Sequence, residues 1–222
     1  MNEHEIPVEI TADNATLEGN LTIPAGARAV VLFAHGSGSS RHSPRNQFVA
    51  EMLQQAGLGT LLMDLLTAEE EAIDLHTAHL RFDIALLAER LVAATDWLAR
   101  NVSTQVFHLG YFGSSTGAGA ALRAAAQRAD LIGAVVSRGG RPDLAGDFLP
   151  QVKAPTLLIV GGRDLPVIDL NKAAQAEMVC KNRLEIVPGA THLFEEPNAL
   201  AQVARLARDW FVTHLVTAAV PA

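Results

Sequence analysis

The sequence predicts an α/β domain: a mostly parallel, eight-stranded sheet with helices on both faces and no large cap. Three observations predict it. Short continuous apolar runs such as Ala29 to Ala34 (AVVLFA) recur along the chain, as expected of strands buried on both faces. Stretches with apolar residues three and four apart alternate with those runs, the pattern of helices crossing over a parallel sheet. No repeat, low-complexity tract or linker divides the 222 residues, and their 49% hydrophobic content suffices for one sizeable core. Residues 1–222 are therefore read as a single domain.

Taken in order, Ile6 to Thr11 and Leu17 to Ile23 read as short strands around a turn at Asp13-Asn14, an antiparallel opening hairpin that ends at Pro24. The buried strand Ala29 to Ala34 is broken by His35-Gly-Ser-Gly-Ser-Ser. Ser43 before Pro44 supplies an N-cap and first helical residue for a helix to about Ala56, ended by Gly57. Gly59 to Asp64 is the next strand. Leu65 to Ala78 reads as a loop with some helix: Thr67 and Glu70 have capping-box spacing, and Glu69 to Glu71 read as a solvated face. Leu80, Ile84, Leu87, Leu91, Ala94 and Leu98 mark an amphipathic helix ending near Asn101, with Arg81 and Asp83 as a structural ion pair at its start. A strand from about Gln105 then runs into a glycine-rich turn, a small-residue helix to about Arg128 and the strand Ile132 to Ser137. Arg138 to Asp143 is a turn. The strand Pro155 to Val160, a helix from Ile168 to Val179, the strand Arg183 to Val187 and a last helix containing Leu200, Val203, Leu206 and Trp210 complete the pattern.

Composition narrows the function classes. A net charge of −7 without a basic tract argues against a nucleic-acid surface and against anionic lipid. The single cysteine, Cys180, cannot form an internal disulfide and fits a reducing compartment. The amino terminus, MNEHEIPVEI, lacks the basic and apolar regions of a leader, and no apolar stretch reaches the roughly 20 residues of a membrane helix. A cytoplasmic protein that binds neither nucleic acid nor membrane is expected, its oligomeric state open.

The chain's most informative stretch is Gly113-Ser114-Ser115-Thr116-Gly117, a G-x-S-x-G between a strand and a helix. Such a turn holds the serine Oγ above the sheet edge at a helix N-terminus. Loops at the carboxyl ends of parallel strands share that edge, and three more of them are polar and glycine-rich: His35 to Arg45, Gly161 to Asp164 and Gly189 to His192. A serine hydroxyl needs a base within reach and a carboxylate to orient the base. His192 can be that base and Asp164 the orienting acid, in the chain order Ser, Asp, His expected of this architecture. The residues leave rivals open: Ser115 as a structural turn serine, Asp164 as a helix cap with Asp143 or Asp169 as the acid, and Glu195 or Glu196 as the partner of His192. His35 reads as shaping its loop, His108 as a strand residue and His214 as part of the last helix, while His4, His76 and His79 show no partner spacing. No histidine pair has metal-ligand spacing and no cofactor is implied.

HGSG at His35 to Gly38, GYFGSSTG at Gly110 to Gly117, GGRD at Gly161 to Asp164 and GATH at Gly189 to His192 make the chain similar, over nearly its whole length, to α/β-hydrolases of the small, lidless dienelactone hydrolase-like group. The resemblance implies a triad of Ser115, His192 and Asp164, with an oxyanion hole from the backbone N–H groups of Thr116 and Ser37. It departs from the family pattern at the nucleophile, which is cysteine in dienelactone hydrolases proper. The expected reaction is two-step hydrolysis of a small ester or thioester in a fairly open pocket. An acyltransferase using the same residues and a non-catalytic member of the fold are the alternatives. Arg41, Arg45, Arg138 and Arg141 follow the first loop or the strand after the elbow. A guanidinium there can grip a substrate anion, so Arg41, Arg138 and Arg141 are candidate anchors, with pairing to Asp143, Asp147 or the Glu69 to Glu71 run as the structural alternative.

Overall fold

A computed structural model describes residues 5–217. His4 and part of the amino-terminal stretch read above lie outside the described residues. Eight strands, β1 (Glu5–Ala12), β2 (Ala15–Thr22), β3 (Ala29–Ala34), β4 (Gly59–Met63), β5 (His108–Ser114), β6 (Ile132–Arg138), β7 (Thr156–Gly161) and β8 (Asn182–Val187), form one sheet in the order β1-β2-β4-β3-β5-β6-β7-β8. β1 and β4 flank β2 antiparallel, and every other neighbour runs parallel. Crossing from β3 to β4 on one side and to β5 on the other makes the β3–β5 boundary the place where the chain reverses direction across the sheet, and crevices form there at the carboxyl ends of strands.

Alternation along the strands builds a core on each face. Val30, Leu32 and Ala34 of β3 pack into a cluster with Leu87, Leu91 and Leu98 of α3 (Ile84–Arg100) and Ala120, Ala121 and Ala124 of α4 (Thr116–Gln127). Ala29, Val31 and Phe33 face the other way, into a cluster with Val49 and Leu53 of α1 (Pro44–Gln54) and Val203, Ala207 and Phe211 of α6 (Ala199–Phe211). Fully burying each Leu, Val or Phe side chain contributes about 1.5–3 kcal/mol, so a strand apolar on both faces is fixed by both layers at once. α2 (Ala68–Thr77) lies between β4 and α3, and α5 (Leu165–Glu177) between β7 and β8. Among the described residues no helix is long and apolar enough to cross a membrane.

Several local readings are corrected. Leu65 to Ala78 is mostly helix, because the capping box is complete: the Thr67 side chain accepts from the Glu70 N–H at 3.2 Å and the Glu70 carboxylate accepts from the Thr67 N–H at 2.8 Å. Glu70 is also not simply solvated, since it accepts from Arg90 at 2.7 Å. The long helix starts at Ile84 rather than Leu80, since the Asp83 side chain caps it by accepting from the Leu86 N–H at 3.0 Å. Arg81 pairs not with Asp83 but with buried Asp74 at 2.5 Å, joining α2 to the turn before α3. Past the predicted turn at Arg138, residues Pro142–Gln151 coil into two 3-10 segments kinked at Gly146.

Candidate active site

The local sequence dictates the shape of the elbow. Ser115 sits between β5 and α4 at φ 50°, ψ −122°, a conformation that L-residues almost never adopt. Backbone bonds hold it there: its N–H donates to Arg138 O at 3.3 Å, and its carbonyl accepts from the N–H groups of Ala118 at 3.1 Å and Arg141 at 3.0 Å. The flanking glycines are required by space. A Cβ on Gly117 would stand 2.3 Å from Ala34 O, and one on Gly113 would stand 2.5 Å from the Ala118 Cα, both contacts with backbone that cannot yield.

His192 comes from the loop between β8 and α6. That loop is tied to the one after β7 by Gly162 N–H to Val187 O at 2.8 Å and Arg163 N–H to Ala190 O at 2.9 Å, which brings Asp164 and His192 together from positions 28 residues apart. His192 Nδ1–H donates to Asp164 Oδ2 at 2.6 Å, leaving Nε2 as the acceptor nitrogen. Asp164 starts α5, but its side chain makes no capping bond and is largely buried, so it is free to serve the histidine. The rival acids are engaged elsewhere: Asp143 with Arg141 at 2.7 Å, Asp169 with Lys172 at 3.9 Å, Glu195 with Arg45 at 3.3 Å, and Glu196 with the Thr191 N–H at 3.0 Å. Gly139 follows the residue whose carbonyl holds Ser115, and a Cβ there would lie 3.6 Å from His192 Cε1, so serine and histidine loops converge on this point.

On the other side of Ser115, His35 spends both ring nitrogens on its surroundings, Nδ1–H donating to Gly36 O at 3.0 Å and Nε2 accepting from Leu65 N–H at 3.0 Å. Burial lowers its pKa, so it is a neutral loop-shaping residue. The Ser37 N–H donates to Thr116 Oγ1 at 3.0 Å, which seats the HGSG loop on the first residue of α4. A cleft lined by His35, Ser37, Asp64, Glu71, Arg81 and Thr116 opens beside this contact.

The candidate anchors separate sharply. Arg41 binds Asp64 through its backbone N–H at 2.7 Å and through its guanidinium, which also reaches Glu18. Arg141 forks onto Asp143. Arg138, only 8% exposed, has no hydrogen bond or ion pair on its guanidinium among the described residues, and its Nε and Nη1 are buried. Burial, reinforced by the positive field of Arg45, pulls its pKa down to about 10, so it remains charged near neutrality. One contact had no signal in the sequence: buried Asn46, in the first turn of α1, accepts from Ser114 Oγ at 3.4 Å and pins that turn against the elbow.

The chain is similar to known proteins. The model of the dienelactone hydrolase family matches residues 17–214. The crystal structure of a dienelactone hydrolase from Anabaena variabilis is 63% identical and superposes with a TM-score of 0.95 over 96% of this chain and 99% of that one. A dienelactone hydrolase-like promiscuous phosphotriesterase from metagenomic libraries, 17% identical with a TM-score of 0.78 over 96% of this chain and 98% of its own, shares the fold. Two Mycobacterium tuberculosis proteins, from strains CDC 1551 / Oshkosh and H37Rv, are each named putative phosphoribosyl transferase and are 59% identical over 208 residues. That match spans 94% of this chain but 46% of theirs, about half the length of those relatives.

Proposed function

The chain belongs to the dienelactone hydrolase family, and from that premise we propose that it is a serine hydrolase cleaving small carboxylic esters or thioesters through an acyl-enzyme on Ser115. The observation that carries the reading is the 2.6 Å bond from His192 Nδ1–H to Asp164 on the sheet edge where Ser115 stands in a strained elbow. With Nδ1 committed, Nε2 is the nitrogen that takes the Ser115 proton as Oγ attacks the acyl carbon. The same proton then goes to the leaving oxygen or sulfur, and water releases the acyl group by the reverse transfers. The backbone N–H groups of Thr116 and Ser37 stabilise the oxyanion, the Ser37 N–H exchanging Thr116 Oγ1 for the substrate oxygen. Water is the only co-reactant this chemistry needs, so no cofactor enters it. The phosphoribosyl transferase in the names of the mycobacterial relatives is not carried over, because those proteins are about twice as long as the stretch matched here.

The test is release of p-nitrophenol from acyl esters of increasing chain length, with wild type and Ser115→Ala side by side. Turnover should fall with chain length and drop by about 10⁴ to 10⁶ in the variant. Equal turnover in both proteins, or no labelling of Ser115 by a fluorophosphonate, would falsify the assignment of the nucleophile. Recovery of the acyl group on an added alcohol in preference to water would reassign the chain as an acyltransferase.

A further inference from the structure

We propose that Arg138 and Arg45 form an anion subsite beside Ser115 that seats a phosphate monoester group of the substrate. As a subsite it rests on Ser115 being the nucleophile; as an anion site it does not. Arg138 ends β6 as the register partner of Ser114, and its carbonyl holds the Ser115 N–H. It is more than nine-tenths buried, yet its buried Nε and Nη1 have no hydrogen-bond partner among the described residues. A buried cation with no carboxylate is costly, and the sequence could have filled the space with an apolar residue of similar volume. The cost becomes understandable if an anion arrives from outside.

The surroundings point to a dianion. Asn46 is pinned to Ser114 Oγ, which places its neighbour Arg45 and the first turn of α1, an 11-residue helix, on the same side as Arg138. Arg45 has only a partly exposed contact to Glu195 at 3.3 Å, the longest of the arginine pairs around the site. Two guanidiniums exceed what one carboxylate can balance. A phosphate monoester presents three oxygens and a charge of about −1.5 to −2 near neutrality, and so matches both forks.

The subsite is tested by titrating inorganic phosphate, and acetate at equal ionic strength, into wild type, Ser115→Ala, Arg138→Gln and Arg45→Gln by calorimetry. Phosphate should bind wild type and Ser115→Ala alike and bind Arg138→Gln at least about tenfold more weakly, the scale of one charge-assisted hydrogen bond. Arg45→Gln should lose less, and acetate should bind wild type at least about tenfold more weakly than phosphate. In turnover, wild type should favour acetylglycerol phosphate over acetylglycerol in kcat/KM, and Arg138→Gln should lose that preference. No phosphate binding, binding unchanged in Arg138→Gln, or acetate binding as tightly as phosphate overturns the subsite. Phosphate binding in a protein that cleaves no ester supports the anion site and removes both the hydrolase reading and the subsite's role in it; ester cleavage without phosphate binding removes the anion site alone.

Discussion

The two sides of Ser115 use the same residue types and bond them to different degrees. Toward β3 and β4, each cation has its carboxylate: Arg41 lies on Asp64 and Glu18, Arg81 on Asp74, and His35 has both nitrogens occupied. Toward β6 and α1, Arg141 forks onto Asp143, but the buried Nε and Nη1 of Arg138 have no partner among the described residues, and Arg45 holds its acid loosely. The difference teaches how to tell scaffold from site. A charge that is matched within the fold holds loops in place, whereas a buried charge left unmatched keeps its bonding capacity for something else.

Substitutions can break or sharpen that contrast. The largest expected effect is at the loop after β7, where Asp164→Asn keeps the shape but fixes the wrong tautomer of His192 and should lower kcat for ester hydrolysis by about 10⁴. A loss below tenfold would show that Asp164 is scaffold like Asp64. Arg138→Met should be stabilising by about 1–4 kcal/mol in denaturant unfolding without phosphate, because it removes an uncompensated buried charge; a loss of stability would mean that Arg138 is satisfied in solution. Arg81→Met, the mirror experiment on the matched side, should destabilise, because it leaves Asp74 buried without its cation.

That last effect has a pH signature. Burial pushes the Asp74 carboxyl up, but the hydrogen bonds from the Arg81 side chain and from the Arg81 and Leu80 N–H groups outweigh it and hold the pKa below the usual carboxylate value. A depressed folded pKa adds stability that is fully present above the unfolded value of about 3.9 and fades as pH falls through the folded one. The gap in melting temperature between wild type and Arg81→Met should therefore close below about pH 4, and a gap that stayed constant to pH 2 would sink the pairing.

What the sequence made legible was whatever periodicity and glycine spacing encode. The AVVLFA run gave β3 to the residue, because a strand buried on both faces leaves no polar position to confuse its ends. The elbow was equally readable, since Gly113 and Gly117 stand where backbone approaches within 2.5 Å of an added Cβ. α2 is less legible because its three glutamates suggest solvent, and Asp74, the residue that ties it to the next turn, has a partner seven residues away that propensity does not show. The arginines were legible as a group near one edge and not as individuals. Arg41 and Arg138 look alike in a string of letters, and only folding brings Asp64 to one and no acid to the other.

The conformation of Ser115 also has a mechanical meaning. At φ 50°, ψ −122° the backbone is a drawn spring, holding on the order of 1–3 kcal/mol that unfolding releases. Gly113, Gly117 and the three backbone bonds on Ser115 are the latch. Ser115→Gly relaxes the spring and Ser115→Ala leaves it drawn, although both remove the hydroxyl, so the glycine variant should melt at the higher temperature. The interval between those two variants gauges the tension that the sheet sustains to keep one hydroxyl raised above its edge.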